Sequence, residues 1–98
     1  MAKYVFNEQS MYWENTAQYN YLFLRAREVY FNDVLKKDGV VPLFNVLKSL
    51  GLKTSKNDLK QIWEYKPGVK IDFGLDGQDS SALKFVLEFN THSIDSEV

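Results

Sequence analysis

Two stretches near the C-terminal end of the chain show the clearest alternation of apolar and polar residues. In residues 69–75 every second side chain is apolar, and the same holds in residues 83–89. The apolar positions are Val69, Ile71, Phe73, Leu75, Leu83, Phe85, Leu87 and Phe89. Because side chains alternate between the two faces of a strand, this pattern predicts a β-hairpin with one apolar face packed on the core.

Charges along the two stretches favour particular registers of the hairpin. Placing Asp72 opposite Glu88 would bring like charges together, which destabilises a strand pair. A register with Lys70 opposite Glu88 avoids this and leaves residues 76–82 as the loop. A register with Asp72 opposite Lys84 is nearly as favourable. The sequence therefore leaves both registers open, and we prefer the first.

Residues 17–37 have a helical pattern with a wide apolar arc, about two-thirds of the circumference. The arc contains Tyr19, Leu22, Phe23, Ala26, Val29, Tyr30 and Val34 on one face, widened by Leu24, Phe31 and Leu35. The remaining stripe is polar and is expected to face solvent; it consists of Arg25, Glu28, Asn32 and Lys36. We therefore expect a central helix that covers the hairpin and ends at a left-handed cap at Gly39.

Two shorter helices are predicted after this one. The first spans Pro42–Leu50 and is closed by Gly51, with an inward stripe of Leu43, Val46, Leu47 and Leu50. The second begins near Ser55, where Ser55 and Asp58 have the spacing of a capping box. Its apolar positions are Leu59, Ile62 and Trp63.

Pro67-Gly68 is typical of a type II turn, and if that turn makes a hairpin, Ile62–Tyr65 would be a third strand. Residues 3–6 are a further candidate for a short strand. The pattern as a whole predicts an α+β fold: a long central helix and two short helices packed on a small antiparallel β-sheet of two or three strands. We expect residues 1–98 to form a single domain, with flexible ends at 1–15 and 91–98.

The amino-acid composition excludes several classes of function. The chain has 98 residues, of which 45% are hydrophobic and 15% aromatic, enough for a core built on rings. It has no cysteine, which excludes disulfides, thiolate nucleophiles and cysteine-ligated zinc. The formal charge of −1 gives no general attraction to nucleic acid or anionic membrane. With no signal-like or membrane-spanning apolar run, we expect a soluble cytoplasmic protein without a membrane partner.

Candidate catalytic and metal-binding groups are few. His92 is the single histidine, and its neighbours Ser93 and Asp95 lie on the same extended tail, where the three cannot converge as a catalytic relay does. The segment Asp76–Asp79 lacks the order of a calcium loop and is better explained as a polar turn. No phosphate-binding, zinc-protease or hydrolase motif is present. We therefore predict no catalytic, metal-binding or cofactor-binding residues, no cofactor, and no enzymatic activity.

Arg27 is unusual because it lies inside the apolar arc, beside Phe23 and Phe31. Its stem could cover apolar surface while the guanidinium reaches water. Alternatively, the guanidinium is partly buried and is either stacked on a ring or paired with a carboxylate, with Asp72, Glu8 and Glu14 as candidates. The sequence leaves these alternatives open.

Two short helices followed by a hairpin are also the element order of a winged helix. Lysines on or near the third helix and the hairpin would then be candidate phosphate contacts: Lys53, Lys56, Lys60, Lys66, Lys70 and Lys84. The turn before the third helix is about two residues longer than a standard helix-turn-helix has, and the third helix carries no arginine. Nucleic acid is therefore the less favoured partner.

Five stretches resemble, in their order along the chain, a family of small uncharacterised proteins encoded by tailed phages and prophages. They are Tyr21–Ala26, Tyr30–Leu35, Leu43–Leu52, Ile71–Leu75 and Val86–Asn90. The chain differs from that family at Ile62, where the family has glycine, and at Thr91-His92, where it has Asp-Gly. The resemblance implies a phage or mobile-element origin and no catalytic residues. We therefore predict a non-enzymatic accessory protein that acts through an unidentified protein partner, with a winged-helix-like DNA-binding protein as the alternative.

Overall fold

The structure is a computed structural model that describes residues 3–79 and 83–93. Its elements, in chain order, are β1 (Lys3–Asn7), α1 (Ala17–Asp38), β2 (Val40–Pro42), α2 (Leu43–Ser49), a 3-10 turn (Asn57–Lys60), β3 (Gln61–Glu64), β4 (Lys84–Glu88) and β5 (His92–Ser93). The strands form two antiparallel sheets, one of order β1-β4 and one of order β2-β3-β5. The α+β class is confirmed, although two small sheets replace the single sheet that we expected.

Helix α1 confirms the longest predicted element. It ends at Gly39, which has φ 84° and donates its N–H to the carbonyl oxygen of Leu35 over 2.8 Å. A positive φ suits glycine because a Cβ would be strained there. Lys36 and Lys37 in the last turn place positive charge at the negative end of the helix dipole.

The face that α1 turns to the core agrees only in part with the predicted one: Leu24, Phe31 and Leu35 of the apolar arc are buried, but the rest of that face is not. Its buried positions are Asn20, Leu24, Glu28, Phe31 and Leu35. The expected inward residues Tyr19, Leu22, Val29 and Tyr30 are instead 48%, 57%, 61% and 54% exposed. An apolar arc of two-thirds of a circumference does not define which part faces inward. Here the polar members of the buried stripe select the orientation, because they find specific hydrogen-bond partners inside the protein.

Helix α2 is shorter than predicted, since Pro42 belongs to β2 and precedes the first helical residue. Its inward stripe of Leu43, Val46, Leu47 and Leu50 is buried as predicted. Gly51 follows with φ 73°.

The predicted third helix is wrong. Residues 57–60 form one 3-10 turn with Leu59 57% exposed, and the chain then enters β3. The capping interaction is nevertheless present, because Asp58 Oδ2 accepts the N–H of Ser55 over 2.8 Å. Strand β3 lies close to the alternative strand predicted at residues 62–65, but it pairs with β2 and β5. The turn at Pro67-Gly68 is confirmed by φ 83° at Gly68.

The predicted hairpin is also wrong, in both registers. Residues 69–75 form no strand, and β4 pairs with β1, so that Phe85 lies opposite Phe6 and Lys84 opposite Asn7. The core assignment of the two stretches is correct for Ile71, Phe73, Leu75, Phe85, Leu87 and Phe89. Val69 and Leu83 are exposed, at 42% and 88%. Part of the predicted loop, residues 80–82, lies outside the described residues.

The aromatic core forms between the two sheets and α1. Phe89 contacts the rings of Tyr4, Trp63 and Phe73 at centroid distances of 5.3–5.8 Å. Edge and tilted ring contacts of this kind stabilise a core beyond their buried area. The segments 3–15 and 91–93, which we expected to belong to flexible ends, contain β1 and β5. How mobile they are stays a prediction.

Candidate protein-interaction surface

A polar stripe on the inner side of α1 binds residues 71–76, which we call the anchored segment. Glu28 is buried, and its Oε2 accepts the backbone N–H of Phe73 over 2.8 Å. Its Oε1 accepts a hydrogen bond from Arg25 Nη1 over 2.7 Å. Arg25 also bonds the hydroxyl of Tyr21 over 3.0 Å and pairs with the carboxylate of Asp76. The Tyr21 bond, followed by Asp76, raises the pKa of Arg25, so its charge is fixed.

Asn32 continues this stripe one turn further along α1. Its Oδ1 accepts the N–H of Ile71 over 2.8 Å, and its Nδ2 donates to the carbonyl oxygen of Ile71 over 3.1 Å. A neighbouring strand would bond the same two backbone groups. Asn32 and Glu28 therefore bond backbone groups of the anchored segment as a neighbouring strand would. A backbone bond also joins this segment to β4, from the N–H of Glu88 to the carbonyl oxygen of Phe73 over 3.1 Å.

Two side-chain amides secure the opposite side of the anchored segment. Gln78 Nε2 donates to the carbonyl oxygen of Gly74 over 2.6 Å. The same side chain bonds both backbone groups of Val86, accepting its N–H over 3.1 Å and donating to its carbonyl oxygen over 2.7 Å. Asn90 Oδ1 accepts from the N–H of Asp72 over 2.9 Å and from Trp63 Nε1 over 2.6 Å. The bonds of Gln78 to Val86, with the backbone bond from the N–H of Glu88 to the carbonyl oxygen of Phe73, cover the edge of β4 that β1 does not occupy. Gly74 has φ 77° and lies against the backbone of Glu88 in β4. A Cβ at this position would stand 3.2 Å from the carbonyl oxygen of Glu88.

The N-terminal end of α1 is held by a buried asparagine. Asn20 is fully buried, and its side chain bonds both backbone groups of Glu14, with N–O distances of 2.7 and 2.8 Å. A buried amide with both partners satisfied fixes an orientation, because rotating the helix would leave it unpaired. Asn20, Glu28 and Asn32 therefore lock one side of α1 against the protein.

As a consequence, α1 presents apolar side chains to solvent. We call this the outer face, and it consists of Tyr19, Leu22, Ala26, Val29, Tyr30 and Asp33, all exposed. Five of these positions follow the 3-4-3-4 spacing of a coiled-coil seam, with Tyr30 beside it. The exposed apolar area is roughly 400 Å², in the range at which a patch on a monomer is often functional.

Arg27 lies beside the outer face. The sequence left open whether its guanidinium reaches water, stacks on a ring or pairs with a carboxylate. Its guanidinium carbon is 5.3 Å from the ring centroid of Phe23, so the head stacks on a ring. None of the candidate carboxylates is paired with it among the described residues. With Tyr30 and Lys48 it lines a shallow groove between α1 and α2.

The predicted lysines are exposed and distributed over several elements. Lys53 and Lys56 precede the 3-10 turn that contains Lys60, Lys66 and Lys70 flank the turn at Pro67-Gly68, and Lys84 begins β4. The recognition helix and the wing on which the winged-helix interpretation depends are not formed by residues 55–75. Whether these lysines contact DNA stays a prediction.

The remaining candidates are placed as follows. His92 is in β5, exposed, with Nε2 3.3 Å from Glu64 Oε1; Asp95 lies outside the described residues. Asp76 pairs with Arg25, in keeping with the predicted polar turn.

Among residues 3–79 and 83–93 no three His, Asp or Glu side chains are grouped as a metal site would need. No helix in this part of the chain is long and apolar enough to cross a membrane.

A hydrogen bond between a half-buried tyrosine and a buried carboxylate has no sequence signal. The hydroxyl of Tyr4 donates to Oδ1 of the buried Asp58, linking β1 to the 3-10 turn. Burial, then the bond to Asp58, raises the pKa of Tyr4 above its ordinary value. Neither this pair nor the contacts of Glu28 with Phe73 and of Asn90 with Asp72 have a local sequence signal, because each joins residues that are 18 or more positions apart.

Comparison of the chain with protein-family models, with curated proteins and with solved structures found no match. The resemblance to phage proteins therefore stays a prediction.

Proposed function

We propose that this protein is a non-enzymatic accessory protein of phage or mobile-element type, and that it acts by binding another protein through the outer face of α1. The single observation that carries the proposal is the orientation of this helix. The polar side chains of Glu28 and Asn32 bond the anchored segment on the inner side of the helix, whereas the apolar side chains of the outer face are exposed.

The outer face has the chemistry of a protein-binding surface. Tyrosine and aliphatic side chains dominate it, and tyrosine is enriched in interfaces because it gives a large contact area at low conformational cost. Exposing these residues on a helix is unfavourable for an isolated domain. The bonds of Glu28 and Asn32 nevertheless hold them there, as is expected when a partner covers the helix.

A photo-crosslinking amino acid in place of Leu22 tests this proposal in an extract of the cells that encode the chain. We expect it to form a discrete crosslinked protein species, either with another protein or with a second copy. The species should disappear when Val29→Glu is added. The matched control carries the same amino acid at Lys66, which is exposed in the turn before Val69. Equal crosslinking at both positions, or none at position 22, would contradict the proposal.

The DNA-binding alternative is separated by a fluorescence-anisotropy titration with duplex DNA. Our proposal expects no binding tighter than about micromolar at physiological salt. Tight, salt-dependent binding that Lys56→Glu and Lys60→Glu weaken would favour the alternative, because phosphate contacts release counterions.

A further inference from the structure

We infer that the occupant of the outer face is a second copy of this chain, bound antiparallel so that the two α1 helices pack about a two-fold axis at Ala26. The inference rests on the proposed function, and it adds the identity of the partner and the geometry of the contact.

The outer face is nearly symmetric about Ala26. Leu22 lies four residues before it and Tyr30 four after, while Tyr19 lies seven before and Asp33 seven after. A two-fold axis at Ala26 therefore places Leu22 against Tyr30 of the partner subunit. The small side chain falls on the axis, where two helices approach most closely.

Charge favours the antiparallel arrangement over a parallel one. Asp33 is the one charged residue of the outer face, and it is exposed. In an antiparallel pair its carboxylate faces the hydroxyl of Tyr19 of the partner subunit, which can donate a hydrogen bond to it. In a parallel pair, Asp33 would face Asp33 of the partner subunit, and like charges at an interface are unfavourable.

The size of the surface fits a dimer of modest affinity. Helix α1 has 22 residues and is about 33 Å long, so two copies can pack along several turns. Two outer faces of roughly 400 Å² of apolar area each, with their polar flanks, approach the about 1,000 Å² at which a specific interface begins. We therefore expect a dissociation constant on the order of micromolar.

Sedimentation equilibrium of the purified chain over a range of concentrations tests self-association. We expect a monomer–dimer equilibrium whose dissociation constant rises at least about tenfold in Leu22→Glu, because the variant buries an unpaired charge. Lys66→Glu is the control and should leave the constant unchanged. A chain that stays monomeric at a concentration about tenfold above the expected constant would overturn the inference. If such a chain still crosslinks from position 22 to a different protein, the proposed function stands and only the second copy is rejected.

Disulfide trapping tests the geometry, because the natural chain has no cysteine. At the axis Ala26→Cys should form a disulfide with its own copy, whereas Tyr19→Cys should not crosslink to itself. A mixture of Tyr19→Cys and Asp33→Cys should instead give a mixed disulfide, since the antiparallel pair brings these positions together. Self-crosslinking of Tyr19→Cys and Asp33→Cys, each alone, would overturn the antiparallel arrangement. All three substitutions are at exposed positions, and a thermal melt of each reduced variant verifies the monomer fold.

Discussion

Replacing Glu28 with alanine should destabilise the protein by about 1.5–4 kcal/mol, because two interactions are lost together. The N–H of Phe73, a fully buried residue, would have no acceptor, and an unsatisfied buried donor costs about 1–3 kcal/mol. The ion pair with Arg25 would also be lost. Since the arginine side chain is 31% exposed, solvent screening limits that contribution to about 0.5–1 kcal/mol.

Glu28→Gln separates the two contributions. The amide keeps an oxygen that can accept the N–H of Phe73 but loses the charge that binds Arg25. We expect it to cost about 0.5–1 kcal/mol, the contribution of the ion pair alone. Glu14→Gln is the control, because the Glu14 side chain is exposed and only its backbone is bonded. This variant should lie within about 0.5 kcal/mol of the natural chain.

Urea unfolding of the three variants, followed by circular dichroism, measures these free energies. The experiment should use dilute protein so that self-association does not contribute. If Glu28→Ala is no more destabilising than Glu14→Gln, then the carboxylate does not bind the anchored segment, and the reason given for the orientation of α1 is wrong.

Three further substitutions test other parts of the structure. Gly74→Ala should cost about 1–3 kcal/mol, because φ of 77° is strained for alanine and a Cβ would lie 3.2 Å from the carbonyl oxygen of Glu88. An unchanged urea midpoint would contradict both the strained backbone and the close approach to β4. In the natural chain, the raised pKa of Tyr4 stabilises the folded state below the ordinary pKa of 10.0, and this stability falls as the pH rises further. Tyr4→Phe has no hydroxyl to ionise, so it should lose less stability at alkaline pH than the natural chain does. A stability profile of Tyr4→Phe that parallels that of the natural chain above pH 10 would rule out the bond to Asp58. Arg27→Leu should change the free energy of unfolding by less than about 0.5 kcal/mol, because the guanidinium stacks on Phe23 and no described carboxylate pairs with it; a loss of several kcal/mol would show a buried ion pair.

Local signals predicted the features that depend on neighbouring residues. The end of α1 at Gly39 and the turn at Pro67-Gly68 follow from the backbone freedom of glycine and the fixed φ of proline. The buried stripe of α2 follows from helical periodicity. The burial of Phe73 and Phe85 was also predictable, because alternation alone indicates which side chains of an extended segment face inward.

Pairing between distant segments was not predictable in the same way. The candidate strand at the N-terminus gave no clean period, so the sequence offered no reason to pair it with β4 in place of residues 69–75. The choice is made by side chains on α1, since Asn32 and Glu28 bond backbone groups 39 and 45 residues away. A helical wheel counts both as ordinary polar positions, and it therefore assigns both to the solvent-facing stripe.

The outer face was visible in the sequence but was misinterpreted. A wide apolar arc such as that of α1 indicates core packing, which is the commoner meaning of such a pattern. The sequence alone does not distinguish a face buried in the protein from one that a partner covers. The decisive information is that Asn20 and Glu28 are buried and hydrogen-bonded on the opposite side of the helix.

Thiol labelling of single-cysteine variants tests the orientation of α1 most directly, because the natural chain has no cysteine to interfere. In dilute, monomeric protein, Leu22→Cys and Val29→Cys should react within about tenfold of their rates in the denatured chain. Leu24→Cys, at a fully buried position, should react at least about a hundredfold more slowly than when denatured. If Leu22→Cys and Val29→Cys are protected as strongly as Leu24→Cys in the monomer, the apolar stripe faces the core, and the outer face does not exist.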